Sequence, residues 1–288
     1  MPTLTLPAPA KLNLFLHITG RRDDGYHRLQ TMFQLLDYGD ELSFEPRNDN
    51  AIKLTWSGSE SLDALASEEN LVVRAAKLLR QVRPEARPDT SRSAGANIHL
   101  TKRLPMGGGI GGGSSNAATT LLALNQLWAM QRTTDELAIL GARLGADVPL
   151  FVRGRSAWAE GVGELLSPVD LPQRWFLVIH PGSHVSTPEV FGHPELTRDS
   201  PAITMAAFFA GPTQNDCESL VRRLYDPVDK ALIWLEKFGE ARMTGTGAGV
   251  FSSFPSEGEA RAVQSRVPGA WRSFVARGVN RSPVLDLL

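Results

Sequence analysis

Residues 104–118, LPMGGGIGGGSSNAA, place six glycines around Ile110 and restrict the fold of this chain more than any other stretch. The residues before it, 96–100, alternate polar and apolar side chains like a half-buried strand, and apolar residues after it recur at helical spacing. Glycines let backbone N–H groups turn inward around an anion, and a helix N-terminus adds unpaired N–H groups and a positive dipole end. The sequence therefore predicts a phosphate-binding loop between a strand and a helix, with Ser114, Ser115 and Asn116 as candidate caps.

Other glycine motifs fit this loop less well. Gly107, Gly109 and Gly112 satisfy the pattern G-x-G-x-x-G, but a dinucleotide-binding fold also needs an acidic residue after a second strand, and here the helical pattern continues. A P-loop needs a lysine at the position of Ser114. A flexible linker is the remaining alternative, although linkers seldom lie tightly between two periodic segments. Phosphate binding is the interpretation that the context favours.

Charge and cysteine usage exclude several classes of protein. The 288 residues include 30 basic and 31 acidic side chains without a long basic run, so nucleic acid is not an expected partner. Cys217 is the single cysteine, which excludes an intrachain disulfide and a cysteine-based zinc site. The sequence has neither a signal-peptide pattern nor an apolar run of about 18 residues. We therefore expect a cytoplasmic protein that does not associate with membranes.

Periodicity in the first half predicts a mixture of strands and helices. A helix is expected at residues 70–82, followed by an exposed loop rich in Pro, Arg and Ser at residues 83–95. A second helix is expected at residues 133–144, where Thr133 and Glu136 form a capping-box pattern. Short alternating strands are predicted at residues 11–18, 30–36, 40–45 and 52–56.

Asp147 is a candidate functional carboxylate. It follows Gly145 in the run GADVPLF, between small and apolar residues that could tune its pKa by desolvation. An aspartate near a glycine and a proline is also common in turns and at helix ends. From these residues alone the two interpretations are equally good, and the nearby glycine loop favours the functional one.

The second half predicts a small sheet covered by helices. Its elements follow the order β-β-α-β, which suits a ferredoxin-like domain. The glycine turn at residues 244–249, TGTGAG, is either a tight hairpin or a close backbone approach to a ligand. Helices are predicted at residues 228–238 and 257–267, and strands at residues 241–243, 250–254 and 273–276.

Three separated motifs together resemble the GHMP kinase superfamily. They are PAKLN at residues 9–13, the glycine loop followed by SSNAA, and TGTGAG, and they occur in the order typical of that family. The resemblance implies a two-domain α+β fold, with an N-terminal, ribosomal-protein-like sheet-and-helix domain at residues 1–160 and a C-terminal ferredoxin-like domain at residues 161–288. Further segments, among them RRDDGYHRL at residues 21–29, resemble the branch that phosphorylates a cytidine-diphosphate-linked sugar alcohol in isoprenoid precursor synthesis.

This resemblance implies an ATP- and Mg²⁺-dependent kinase. Asp147 matches the catalytic aspartate, which accepts the proton of the attacking hydroxyl, and Lys11 matches the lysine that orients the pair and offsets negative charge. The magnesium ligands stay open, with Asp147 and Ser115 as candidates for indirect contact. The residues implied for ATP binding are Pro105, Met106, Gly107, Gly108, Gly109, Ile110, Gly111, Gly112, Gly113, Ser114, Ser115 and Asn70, although Asn70 could equally be a helix N-cap.

The same resemblance implies a substrate pocket. Tyr26 and His27 match positions that hold the cytosine by stacking and by hydrogen bonding, although such a pair after a glycine turn could also be local packing. By the same match, Asn13, Lys102, Thr187 and Phe191 are further candidates for this pocket.

Two alternatives remain at this point. One is a GHMP kinase for another small alcohol, such as mevalonate or homoserine, and the Tyr26–His27 pair argues against it. The other is a nucleotide- or sugar-binding protein without catalysis, since fold alone does not certify activity. The presence of both Lys11 and Asp147 argues against that alternative. In either case the expected partner is a small molecule, and the expected state is a monomer or weak homodimer.

Overall fold

The computed structural model describes residues 3–58, 69–82 and 94–288. Two long antiparallel strands, β1 (Leu4–Arg21) and β2 (His27–Arg47), form its centre. The two short strands expected within residues 30–45 are one continuous strand. The pairing of β2 with β1 shifts register next to Gly39, between the pairs Pro9–Gly39 and Lys11–Leu35. A Cβ at Gly39 would lie 2.0 Å from the Ala8 carbonyl oxygen on β1, so the close approach of the two strands at this point needs glycine.

The first half of the chain packs helices against a mixed sheet. The strand β3 (Ile52–Gly58) runs parallel to β4 (Gly95–Lys102), which pairs antiparallel with β2. Buried apolar residues of these strands and of the helices, such as Phe44, Leu79 and Leu121, share one core. The remaining elements of this half are α1 (Leu71–Gln81), α2 (Gly112–Leu127), α3 (Thr134–Ala142), α4 (Val148–Arg153), β5 (Ala157–Glu160) and β6 (Leu165–Pro168).

Helix starts in this half both confirm and correct the sequence interpretation. The capping box of Thr133 and Glu136 is present at the start of α3. The predicted caps of α2 are wrong, because the helix already begins at Gly112, and Gly111 at its N-cap has φ +76° and no side-chain cap. Ser114, Ser115 and Asn116 therefore lie inside the first turns. The loop predicted at residues 83–95 lies outside the described residues except for its last two, and Gly95 already begins β4.

The second half contains the strands β7 (Trp175–His180), β8 (Ala241–Met243), β9 (Val250–Phe254) and β10 (Arg272–Val279). They form an antiparallel sheet with the ferredoxin-like order β10-β7-β9-β8, as expected. Periodicity does not predict β7, because all of its residues after Trp175 are buried and show no alternation. The other elements of this half are α5 (Thr187–Gly192), α6 (Met205–Ala210), α7 (Glu218–Leu224), α8 (Asp226–Leu235), α9 (Glu257–Gln264) and a 3₁₀ turn at Pro283–Asp286.

The two halves share β1 and β2. Gly278 and Val279 of β10 pair with Leu36 and Leu35 of β2, and Ile18 of β1 belongs to the core of the second half. The boundary at residue 160 stays a prediction. Because β1 contributes to both cores, side chains along it can meet residues of either half. None of the described helices combines the length and the apolar composition of a transmembrane span.

Candidate active site

Lys11 and Asp147 form an ion pair where β1 meets the start of α4. The Lys11 Nζ lies 3.2 Å from Asp147 Oδ2 and 5.3 Å from the centre of the Phe33 ring. The lysine side chain is 4% exposed, whereas that of Asp147 is 31% exposed. The carboxylate is therefore the member of the pair that an incoming molecule can reach.

The structure also bears on the two interpretations of Asp147. The residue occupies the N-cap position of α4, but its side chain makes no capping hydrogen bond. An aspartate at this position ordinarily accepts a bond from the first helical turn. Here the carboxylate lies against the Lys11 ammonium and lines a cavity, which favours the functional interpretation.

Asn13 holds Lys11 in place. The Asn13 side-chain oxygen accepts a 2.6 Å hydrogen bond from Lys11 Nζ, and its Nδ2 donates to Thr31 Oγ1 at 2.9 Å. The Asn13 backbone N–H donates to Thr244 Oγ1 at 2.9 Å. Sequence reasoning missed Thr31 and Thr244 as supports of this lysine, because they lie 18 and 231 residues from Asn13.

A cavity of about 610 Å³, here called the acceptor cavity, opens in front of the Lys11–Asp147 pair. It brings together residues from both halves of the chain, including Gly245 and Thr246 of the TGTGAG turn. Thr187 Oγ1 and Thr246 Oγ1 are hydrogen-bonded at 2.7 Å across it. The predicted site residues that line it are Lys11, Asn13, Tyr26, His27, Gly109, Gly111, Ser114, Asp147, Thr187 and Phe191.

One end of the acceptor cavity is aromatic. The rings of His27 and Phe191 stack with centroids 5.1 Å apart, and Tyr26, which is 65% exposed, lies beside them. Burial lowers the pKa of His27, and the cations Arg198 and Arg21 lower it further. His27 therefore favours its neutral form. The geometry suits a flat, uncharged ring with hydrogen-bonding edges.

A second cavity, of about 380 Å³ and here called the glycine-loop cavity, lies along the predicted phosphate loop. It shares Gly109, Gly111 and Ser114 with the acceptor cavity. The two cavities therefore meet at the start of α2, where the helix dipole favours negative charge. Its predicted lining residues are Asn70, Lys102, Pro105, Met106, Gly107, Gly108, Gly109, Ile110, Gly111, Gly112, Gly113 and Ser114; Ser115 is not among them.

The TGTGAG turn holds the glycine loop. Backbone N–H groups of Ala248 and Gly249 donate to the carbonyls of Gly107 and Gly108 at 3.0 and 3.1 Å. The Lys11 N–H donates to the Ile110 carbonyl at 2.9 Å. The turn also closes the β8–β9 hairpin, through Thr244 N–H to the Gly249 carbonyl. The hairpin interpretation of this turn is confirmed, whereas its close approach to a ligand stays a prediction, which Gly245 and Thr246 at the wall of the acceptor cavity support.

Lys102 lies away from the other predicted substrate residues. Its Nζ donates to Asp40 Oδ2 at 2.8 Å, and the pair is buried beside the glycine-loop cavity. Asp40 also accepts hydrogen bonds from the backbone N–H groups of Arg103 and Leu104 and from Asn116 Nδ2. Lys102 and Asp40 therefore help to hold the segment that leads into the glycine loop. A substrate role for Lys102 stays a prediction.

Among the described residues, no group of three or more His, Cys, Asp or Glu side chains could hold a metal ion. Ser115 Oγ is buried and has no hydrogen-bond partner there. His180 Nδ1 accepts a bond from the Gly182 N–H, while the His184 ring packs against Gly107. A metal at this site would therefore depend mainly on oxygen ligands from a bound molecule and water.

Known proteins resemble this chain over nearly its whole length. Residues 70–155 match the GHMP kinases N terminal domain, and residues 203–273 match the GHMP kinases C terminal domain. A relative from Alkalilimnicola ehrlichii named 4-diphosphocytidyl-2-C-methyl-D-erythritol kinase is 57% identical, covering 98% of this chain and 93% of that protein. A protein of the same name from Hahella chejuensis is 53% identical, covering 99% and 97%.

A solved structure agrees with these relatives. The crystal structure of a 4-(cytidine 5'-diphospho)-2C-methyl-D-erythritol kinase superposes with a TM-score of 0.80 at 32% identity, covering 96% of this chain and 99% of that one. The superposition spans both halves of the chain. The chain therefore belongs to the GHMP kinases, as an ATP-dependent phosphotransferase of the 4-diphosphocytidyl-2-C-methyl-D-erythritol kinase family.

Proposed function

We propose that this protein transfers the γ-phosphate of ATP to the 2-hydroxyl of 4-diphosphocytidyl-2-C-methyl-D-erythritol, a step of the methylerythritol phosphate route to isoprenoid precursors. The relatives that carry this name support the substrate. The observation that carries the reaction is that two cavities meet at the glycine loop beside Lys11 and Asp147. Use of ATP fits the cytoplasmic setting expected from the sequence.

ATP occupies the glycine-loop cavity in this proposal. Its phosphates lie along residues 105–114, where backbone N–H groups and the N-terminus of α2 supply positive potential. Asn70 lines the same cavity while its side chain caps α1 through the Val72 N–H. The γ-phosphate then points to Gly109, Gly111 and Ser114, which also line the acceptor cavity.

The acceptor hydroxyl lies next to Asp147. The carboxylate takes the hydroxyl proton as the oxygen forms its bond to the γ-phosphorus and the bond to the β-phosphate bridge oxygen breaks. The Lys11 ammonium, 3.2 Å from the carboxylate, holds it in position and offsets negative charge on the transferring group. Asn13 affects the reaction indirectly, because its side-chain oxygen orients the Lys11 ammonium.

Magnesium accompanies ATP in this proposal. The unpartnered Ser115 hydroxyl and the Asp147 carboxylate are oxygen donors, which is the kind of ligand that Mg²⁺ prefers. The single carboxylate fits an ion held mainly by phosphate oxygens and water. When bound, the ion supplies charge neutralisation at the phosphates.

The cytosine lies at the aromatic end of the acceptor cavity. Tyr26 and Phe191 offer ring faces for stacking, and His27 offers a hydrogen bond to the base edge. Thr187 lies on the same helix as Phe191, and its hydroxyl is hydrogen-bonded to that of Thr246. A kinase for mevalonate or homoserine would not need this aromatic site for a base.

Mass spectrometry of reaction products tests the proposal. The purified protein is incubated with ATP, Mg²⁺ and a mixture of 4-diphosphocytidyl-2-C-methyl-D-erythritol, mevalonate and homoserine. We expect one phosphorylated product, derived from the cytidine-diphosphate compound. Phosphomevalonate or phosphohomoserine would instead refute the roles of Tyr26 and His27. The absence of any product would favour a binding protein without catalysis.

A further inference from the structure

Arg198 makes four hydrogen bonds at the aromatic end of the acceptor cavity. Its Nε donates to His27 Nε2 at 2.9 Å. Its Nη2 donates to the carbonyls of Phe191 and His193 at 2.8 and 2.7 Å, and its Nη1 donates to the Leu196 carbonyl at 3.0 Å. A single guanidinium therefore connects the His27 ring on β2 to the chain segment that carries Phe191.

This contact determines which nitrogen of His27 carries the proton. A guanidinium has only donors and stays charged in proteins, so His27 Nε2 must present its lone pair. The neutral ring then has its proton on Nδ1. Free histidine favours the opposite tautomer, with the proton on Nε2. The hydrogen-bond network thus assigns His27 as a single N–H donor through Nδ1.

The surroundings of His27 keep it neutral. Arg198 is bonded to the ring, and Arg21 lies opposite His27 in the β1–β2 ladder. Phe191, which stacks on the ring, and the neighbouring Tyr26 are aromatic. Burial and the two cations hold the pKa of His27 below its usual value. Protonation of Nε2 would also displace the Arg198 donor.

We propose that Arg198 is a positioning residue for base recognition, which fixes His27 as the Nδ1–H tautomer and holds its ring against Phe191. The cavity then offers a neutral N–H donor beside an aromatic face. Such a donor fits a pyrimidine edge that presents a carbonyl oxygen or an unprotonated ring nitrogen. This inference rests on the proposed function, since His27 contacts the base only if the cytidine compound is the substrate.

The tautomer can be measured without substrate. In protein carrying ¹⁵N-histidine, long-range ¹H–¹⁵N correlation spectra distinguish a protonated from an unprotonated ring nitrogen. We expect Nδ1–H for His27 in the wild type and a shift toward Nε2–H in Arg198→Met, with a rise in the His27 pKa toward its usual value. Nε2–H in the wild type would overturn the proposal even if the variant failed to fold. So would an unchanged tautomer in a folded variant.

Kinetics test whether the tautomer matters for the base. In Arg198→Met we expect the KM for the cytidine substrate to rise about tenfold, as for loss of one well-placed hydrogen bond, while kcat and the KM for ATP stay within about twofold. Arg223→Met is the matched control. Arg223 forms an exposed ion pair with Glu195, and Glu195 lies on the chain segment between Phe191 and Arg198. The control should leave all three constants unchanged.

A double-mutant comparison separates action through His27 from a general loss of structure. In a His27→Ala background, adding Arg198→Met should raise the KM by less than about threefold, because the ring that Arg198 orients is gone. An equal effect in both backgrounds would overturn the proposal. If the wild type does not phosphorylate the cytidine compound, the proposed function fails, whereas the tautomer measurement still decides the role of Arg198.

Discussion

At the scale of single residues, the different roles proposed for Lys11 and Asp147 follow from the burial of their side chains. Lys11 is enclosed and bonded to Asn13, so its charge is fixed in position. Asp147 is one-third exposed and makes no capping bond, so it can exchange a proton with a bound molecule. The same two residue types at a solvated strand and a helix end would carry no chemistry. The cavity that both residues line is what supports the proposed catalytic role of the pair.

Asp147→Asn tests this pair. The amide keeps the size of the side chain but cannot accept the hydroxyl proton, so we expect kcat to fall by about 10²–10⁴-fold, with the Kd for ATP within about threefold. Steady-state kinetics and calorimetric titration measure the two quantities. Asp135→Asn, in an exposed ion pair with Arg153, is the control. Turnover like that of the wild type in Asp147→Asn would remove the carboxylate from the mechanism.

At the scale of elements, the glycine loop is held from two sides. The TGTGAG turn donates two backbone hydrogen bonds to it, and Asp40 on β2 accepts bonds from the residues that lead from β4 into it. Neither support lies next to the loop in sequence. The loop geometry therefore depends on how β2, β4 and the β8–β9 hairpin are assembled.

Gly109→Ala tests the contact with the turn. Gly109 has φ +66°, and a Cβ there would lie 2.3 Å from the Thr244 carbonyl oxygen, so backbone must move. We expect the free energy of unfolding to fall by at least about 2 kcal/mol. Gly258→Ala on α9, where a Cβ meets open space, should stay within about 1 kcal/mol of the wild type. Equal stability of both variants in urea unfolding would contradict the close packing.

Asp40→Asn tests the other support. The amide nitrogen of Asn would face the donors Lys102 Nζ and Asn116 Nδ2, and the buried ammonium of Lys102 would lose its counter-charge. We expect the free energy of unfolding, measured with denaturant, to fall by about 3–5 kcal/mol. Asp170→Asn, in an exposed pair with Arg155, should change stability by less than about 1 kcal/mol. A small effect of Asp40→Asn would show that the buried pair does not hold the loop.

At the scale of the whole molecule, two cores share the central strands. Phe44 of β2 packs in the first core, while Leu16 and Ile18 of β1 pack in the second. The acceptor cavity lies between these cores and takes lining residues from both halves. Opening of either half would therefore disturb the site, and a molecule bound there should stabilise both.

Chemical labelling of Cys217 can measure how often the second core opens and whether a bound molecule stabilises it. It is fully buried in the second core, and desolvation is the main cause that raises the pKa of its thiol to about 12. At pH 8 only about 10⁻⁴ of the thiol would be ionised, so we expect a disulfide reagent to label it only upon unfolding. ATP with the cytidine substrate should slow this labelling, because ligands that bind the native state stabilise it. Rapid stoichiometric labelling of native protein would show that the second core opens locally.

The sequence by itself determined the features that local interactions control. The helix α3 with its capping box, the helix α1, the glycine loop between β4 and α2, and the β8–β9 hairpin all follow from spacing and residue type within a few positions. The order of three motifs also indicated the family and its fold. The resemblance to that family also predicted Lys11 and Asp147 as site residues, although spacing alone left the role of Asp147 open.

Only the tertiary structure decided what long-range packing controls. The strand β7 has no alternation to reveal it, because both of its faces are buried. Thr31 and Thr244 position Asn13 across 18 and 231 residues, and Arg198 reaches His27 across 171, so no local pattern could link them. Lys102 belongs beside Asp40 because the β2–β4 ladder brings them together. Contacts between distant residues carry no local signal, since they depend on the register and twist of the assembled sheet.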